Sequence, residues 1–141
     1  MPVMNLAEIP LFAMLRGRMG YLSARQRVIA QNVANADTPG YGAQDLKPFG
    51  FEAKVQAAGA AVQMVTQPGH MLSPNARRTG LGAGYKPTKA QTSETTLDGN
   101  SVVLEEEMMK MTDARMNYDA AIGFYQKSLN MLRLATKPPG R

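Results

Sequence analysis

Apolar side chains recur in alternating steps of four and three residues near the C-terminus of this chain: Leu104, Met108, Met111, Tyr118, Ile122, Tyr125, Leu129 and Leu132, with Arg115 as the polar member. A shorter series near the N-terminus runs Leu15, Met19, Leu22, Ile29 and Val33, interrupted by Gln26. Such steps put side chains on one narrow helical face, the seam along which helices coil around each other. The pattern predicts helices over residues 10–35 and 101–135, roughly 39 Å and roughly 52 Å long at about 1.5 Å per residue. Those dimensions suit a rod-like hairpin better than a sphere. The expected fold class is mainly α, with long terminal helices packed as an antiparallel coiled-coil hairpin. Residues 1–37 and 98–141 form the terminal helical domain, and 38–97 an irregular central region with room for a small β-hairpin.

Local signals set the boundaries. Pro10 suits the first helical position, where its missing N–H costs nothing. Thr38-Pro39-Gly40 stops the first helix, because proline disfavours the α conformation before it and glycine admits a turn. Gly17 and Gly20 weaken that helix, each by roughly 1 kcal/mol against alanine. Residues 1–8 read as a loosely ordered tail, and the first turns are expected to order only when a partner packs on them. In the glycine- and proline-rich centre, the runs 49–55 and 61–65 are strand candidates, and 77–96 reads as a long exposed loop. Asp98-Gly99-Asn100-Ser101 reads as a turn and cap, in which Asn100 or Ser101 accepts from the first free amides. Glu105, Glu106 and Glu107 then sit where the helix dipole favours negative charge. Pro138-Pro139-Gly140 ends the second helix near residues 135–137.

Composition narrows the function. The 141 residues include no cysteine, which excludes disulfides and thiol nucleophiles. No apolar run approaches the ~18 residues of a membrane span. The first residues lack the basic and apolar regions of a secretory signal, so a cytosolic protein, or one exported by another route, is expected. A formal charge of +5 and a pI near 9.7 raise the question of nucleic acid. Charge placement argues against it: the centre is near balance, and no aromatic residue alternates with basic ones as a stacking platform requires.

Catalytic candidates fare no better. His70 is the only histidine, with no cysteine and no acidic pair at ligand spacing, so neither a metal nor a cofactor is expected. Gly80, Gly82 and Gly84 lack the Lys-Ser/Thr of a phosphate loop. The seams point instead to assembly. Gln26 and Arg115 stand where polar groups fix register at some cost in stability. Methionines 14, 19, 108, 109, 111, 116 and 131 fall in the two helices, several off the main stripe, and methionine suits irregular packed surfaces. An antiparallel arrangement brings Arg25 towards Glu105 or Glu107, a pair that sets register more than stability.

The most specific segment is Asn32-Val33-Ala34-Asn35-Ala36-Asp37-Thr38-Pro39-Gly40-Tyr41. It is a helix ending in a polar knuckle, where Asn35, Asp37 and Thr38 can bond local backbone and Tyr41 can pack back on the hairpin. This segment closely resembles the N-terminal signature of the flagellar axial proteins, the rod and hook family. Asp98, Gly99 and Asn100, with the residues on to Met108, narrow the resemblance to a proximal rod subunit. Residues 66–71, with His70, are similar to a short central signature of that group. Gly42 replaces the family's usual basic residue, and Ser101 and Val103 replace an Asn and an Asp. The resemblance implies a structural subunit without cofactor or catalysis, exported without a cleaved signal by the flagellar type III apparatus. It implies terminal helices that pack as an inner tube in the rod, across the periplasm, and transmit torque. The implied partners are copies of itself, other rod proteins of the FlgC type, and the rod-to-ring adaptor FliE. Alternatives are another rod subunit, a soluble helical export adaptor or chaperone, and, more remotely, a nucleic-acid-binding helical protein.

Overall fold

The computed structural model describes residues 9–50, 85–137 and 140. Helix α1 spans Pro10–Ala34, strand β1 Gln44–Asp45, strand β2 Thr88–Lys89 and helix α2 Leu104–Thr136. Pro10 opens α1, and the first intrahelical bond runs from the Ala13 N–H to the Ile9 carbonyl, 3.1 Å. Asn35 closes the helix by donating its N–H to the carbonyls of Gln31 and Asn32 at 3.1 Å. The second helix begins three residues later than expected. Its N-cap is Val103, without a side-chain cap, because Asn100 and Ser101 are engaged elsewhere.

The two long helices pack against each other. Phe12 meets Tyr125 edge to face, with ring centroids 5.3 Å apart. Arg25 lies 3.7 Å from Asp113, and Asn32 lies 2.9 Å from Glu107. These pairs descend α2 as they ascend α1, so the helices run in opposite directions. Phe12 and Ile29 are wholly buried, each contributing about 1.5–3 kcal/mol of hydrophobic stabilisation.

The line of contact differs from the expected seam. On α1, Phe12, Leu15, Leu22 and Ile29 are buried and Met19 is half-buried, but Asn32, not Val33, carries the stripe to its end. On α2 the innermost residues are Glu107, Ala114 and Ala121. With half-buried Met111, Tyr118, Tyr125, Ser128 and Leu132, they also form a four-three series. That series shares every second member with the expected one, but puts Glu107, Ala114 and Ala121 in place of Met108, Arg115 and Ile122. Leu104 and Met108 are exposed, Arg115 faces solvent, and Ile122 and Leu129 are half-buried on the flank. The reason is steric. Alanine lets two helix backbones approach, whereas a stripe chosen for large apolar side chains overlooks the small residues at closest contact.

A second cluster lies on the other flank of α1, where Tyr21, Leu22 and Val28 pack with Leu46 against Ala24, Phe49, Tyr85 and Tyr118. Tyr21 contacts both Phe49 and Tyr85, at centroid distances of 5.5 and 5.4 Å, and the Tyr85 hydroxyl donates to the Gly17 carbonyl at 3.2 Å. Gly17 is buried here, so the weak point in helix propensity is a packing position. The small sheet pairs β1 and β2 antiparallel, with Gln44 opposite Lys89 and Asp45 opposite Thr88. It draws on neither expected strand run. Of 49–55 only Phe49 and Gly50 are described, while 61–65, His70, the 66–71 signature, Gly80, Gly82, Gly84 and the tail 1–8 lie outside the described residues.

The shifted seam is testable by substitution. Ala121→Leu is expected to destabilise the chain by about 1–3 kcal/mol through overpacking. Leu104→Ala should change stability by less than ~0.5 kcal/mol, as an exposed substitution does. Urea unfolding followed by circular dichroism reads both, and the reverse ranking would restore the seam expected from the large apolar residues.

Candidate functional site

One side chain joins three segments at the end of α1. Asn32 is wholly buried, and all its hydrogen-bonding capacity is used. Its Nδ2 donates to the Gln44 carbonyl at 2.6 Å and to Glu107 Oε2 at 2.9 Å. Its Oδ1 accepts from the Gln44 N–H at 3.0 Å and the Tyr41 hydroxyl at 3.2 Å. Asn32 therefore ties α1 to the start of β1 and to the first turn of α2. Only a carboxamide can donate twice and accept twice through one short, flat head.

Glu107 is almost fully buried, at 1% exposure, where an unpaired carboxylate costs several kcal/mol. Here Oε2 accepts from Asn32, Oε1 accepts from Lys110 Nζ at 2.9 Å, and the dipole of α2 favours the negative charge. Arg25 does not reach Glu105 or Glu107 as expected. It grips Asp45 through Nε and Nη2, both at 3.1 Å, and lies within ion-pair distance of Asp113. Two-pronged contact with Asp45 holds the Arg25 guanidinium above its ordinary pKa, against the opposing effect of burial. The register role survives with different partners, since Asp45 enters through a loop that helix periodicity does not see.

Past Asn32 the knuckle and the turn before α2 interlock. The Asn35 side chain donates to the Gln31 carbonyl at 2.8 Å, and Thr38 Oγ1 donates to Asn35 Oδ1 at 3.2 Å. Asn100, buried, reaches across: its Nδ2 donates to the carbonyls of Asn35 and Thr38 at 3.0 and 2.8 Å, and its Oδ1 accepts from the Val102 N–H. Main chain joins main chain as well. Gly40 donates to the Asp98 carbonyl at 2.9 Å and Ser101 donates to the Tyr41 carbonyl at 3.1 Å, while Ser101 Oγ accepts from Ala43 at 3.0 Å. Gly40 and Gly99 both hold positive φ, +74° and +85°. A Cβ on Gly99 would lie 3.4 Å from the Gly40 Cα, so glycine serves both the backbone conformation and the close approach. Asp98 folds back on Thr96 and on the Asn100 N–H, and these bonds hold its carboxyl below the ordinary aspartate range.

The structure therefore brings Asn32, Asn35, Thr38, Gly40, Tyr41, Asp98, Gly99 and Asn100 into one clasp. Asp37 and Pro39 are exposed, and the Asp37 side chain makes no hydrogen bond among the described residues, against expectation. A Cβ at Gly42 meets nothing within 4 Å, so a basic side chain there has room. Glu107, Gln44 and Ser101 were missed as clasp members. An acidic residue in a first helical turn is ordinarily solvated, and only the fold buries Glu107. The helices also leave a long apolar surface bare: Leu11, Leu104, Met108, Met109, Met116, Phe124, Met131 and Leu134 are all exposed. No three acidic, His or Cys side chains converge on a metal-sized site among the described residues.

A network that locks two terminal helices together, beside an extensive bare apolar face, defines a structural subunit of an assembly. The family model described as flagella basal body rod protein matches residues 14–41, which comprise most of α1 and the knuckle. Three curated relatives carry the description flagellar basal body rod protein FlgB. That of Agrobacterium fabrum is 32% identical over 134 residues, 94% of this chain and 97% of the relative. That of Escherichia coli K12 is 31% identical over 109 residues, 70% and 72% of the two chains. That of Salmonella typhimurium is 28% identical over 104 residues, with the same shares. The chain belongs to the FlgB family of flagellar basal body rod proteins: it is a structural rod subunit and not an enzyme.

Asn32→Ala is expected to remove one of the two partners of the buried Glu107 carboxylate together with both bonds to the Gln44 backbone, costing about 3 kcal/mol. Gly99→Ala should cost about 1–2 kcal/mol from the left-handed backbone alone. Denaturant unfolding measures both, and a loss under ~0.5 kcal/mol in either would mean the clasp is not needed for folding. Asp98 gives a pH signature. Its folded pKa lies below the unfolded one, so its contribution is complete above the ordinary aspartate value and disappears as acid drives pH through the lower folded value. A carboxyl-carbon NMR titration should place the Asp98 midpoint below that of a free aspartate.

Proposed function

We propose that this subunit belongs to the proximal part of the rod and transmits torque through laterally packed terminal helices. The helix pair acts there as an antiparallel coiled-coil hairpin, with residues 1–37 and 98–141 as its assembling domain and 38–97 as a separate central region. The supporting observation is the division of labour on the helices. A buried seam and the clasp at Asn32 give each hairpin its register, while Leu104, Met108, Met109, Met116, Phe124, Met131 and Leu134 stay available to neighbours. In a tube of parallel rods, shear is resisted by many shared side-chain contacts acting together.

The remaining expectations stand as part of this reading. The subunit leaves the cell body through the flagellar type III export apparatus, occupies the rod across the periplasm, and meets copies of itself, FlgC-type rod proteins and the adaptor FliE. Ile122 and Leu129, half-buried on the flank of the seam, take part in assembly from its edge.

A strain lacking the chain, complemented with variants, tests this. Wild-type complementation should restore motility and rods in purified basal bodies. Leu134→Glu, at an exposed position, should leave the subunit folded and exported yet give rodless, non-motile cells. Rods and normal motility in the uncomplemented strain would overturn the assignment to the rod.

A further inference from the structure

The turn that closes the clasp is built from two residue pairs prone to spontaneous cyclisation. Of the five aspartates in the chain only Asp98 precedes a glycine, and of the seven asparagines only Asn100 precedes a glycine or serine. A small following residue leaves the side-chain carbonyl carbon open to the next backbone nitrogen. That nitrogen attacks, and a new C–N bond closes a five-membered succinimide. The amide proton departs with ammonia from asparagine, or with water from a protonated aspartic acid. Water then opens the ring at either carbonyl, leaving aspartate or its backbone-lengthened isomer, isoaspartate. No enzyme or co-reactant is needed.

The clasp engages the groups this chemistry requires. Both attacking nitrogens are already donors, Gly99 to the Thr96 carbonyl at 2.9 Å and Ser101 to the Tyr41 carbonyl at 3.1 Å. The leaving amide of Asn100 donates to the carbonyls of Asn35 and Thr38 at 3.0 and 2.8 Å, while its Oδ1 accepts from the Val102 N–H at 2.8 Å. Asn100 is also buried, away from the water that opens the ring. Asp98 accepts from the Thr96 hydroxyl and the Asn100 N–H, which favours the carboxylate over the acid that can lose water. We propose that closure of the clasp shields a modification site at Asp98-Gly99 and Asn100-Ser101, and that conversion of Asn100 in an open chain bars later closure. The product accounts for the second half. An ionised aspartate at position 100 has no proton to donate, so its oxygens would face the Asn35 and Thr38 carbonyls as acceptor against acceptor. Isoaspartate adds a methylene to the main chain within the same turn. A chain that closes promptly keeps Asn100, whereas one left open ages into a form that cannot dock α2. This holds whatever assembly the subunit joins.

Trypsin releases Ala90 to Lys110, in which Asn100 is the one asparagine and Asp98 the one aspartate, so its mass and fragmentation report both sites. Full-length chain is incubated in mildly alkaline native buffer and in the same buffer with guanidinium. Asn100 should convert about tenfold or more faster in guanidinium, as a site reached only through opening does. Mildly acidic buffer should give the same contrast at Asp98. Gly40→Ala strains the clasp from a separate segment, through a positive φ and without a clash. It should raise the folded-state rate at Asn100 several-fold and leave the guanidinium rate unchanged. Thr96→Ala should do the same at Asp98, and Thr96→Ser should restore protection. Chain aged in guanidinium and returned to native buffer should unfold at lower denaturant than chain exposed only briefly. Equal rates with and without guanidinium, folded-state rates unchanged in Gly40→Ala and Thr96→Ala, or aged chain as stable as fresh chain would overturn the proposal.

Discussion

Everything in this fold passes through the carboxamide of Asn32. At the buried end of α1 it donates to a loop carbonyl and a helix carboxylate while accepting from an amide and a phenol. Of those groups the Glu107 carboxylate is buried, and without Asn32 its Oε2 would lose that partner. Because all are satisfied, and no buried side-chain nitrogen or oxygen among the described residues lacks a partner, the network can be both polar and closed. Hydrophobic contact alone would let the helices slide by a turn. A fully used amide cannot, because a shift in any direction breaks bonds that water cannot replace.

The clasp beyond Asn32 extends the same logic to the backbone. Asn100 bridges the turn before α2 to the carbonyls that end α1, and the paired glycines bring the main chains into contact. Termini distant in sequence thus become one element without a disulfide. With one end clasped and the seam closed by alanines, the large methionines and Phe124 are left outside. A chain of this size could have turned those side chains inward. That they face solvent keeps the register-setting surface apart from the exposed apolar one.

Several of these features were legible in the residues. Pro10, the knuckle at Thr38-Pro39-Gly40 and the four-three periodicity located both helices within a few positions. Asn32, Tyr41 and Asn100 were recognisable as a motif, although the Tyr41–Asn32 bond and the bonds from Asn100 to Asn35 and Thr38 were not. The seam on α2 was misphased because periodicity weighs large apolar residues, whereas close packing selects Ala114 and Ala121. Arg25 pairs with Asp45 and Asp113 because a loop residue can approach a helix from a direction that heptad reasoning does not contain. The sheet was missed for a similar reason, since two-residue strands at 44–45 and 88–89 carry no alternation to read.

The chain's order of residues alone determined that two long amphipathic helices would form, where they would begin and end, that glycine would be needed at the turns, and that no thiol chemistry was possible. These are local matters, set by propensity, capping and backbone sterics within a few residues of each position. Only the tertiary structure decided which stripe of each helix faced inward, that Glu107 could be buried, and which methionines remained outside. Those outcomes depend on how closely two backbones approach and on whether every buried polar atom finds a partner across the interface.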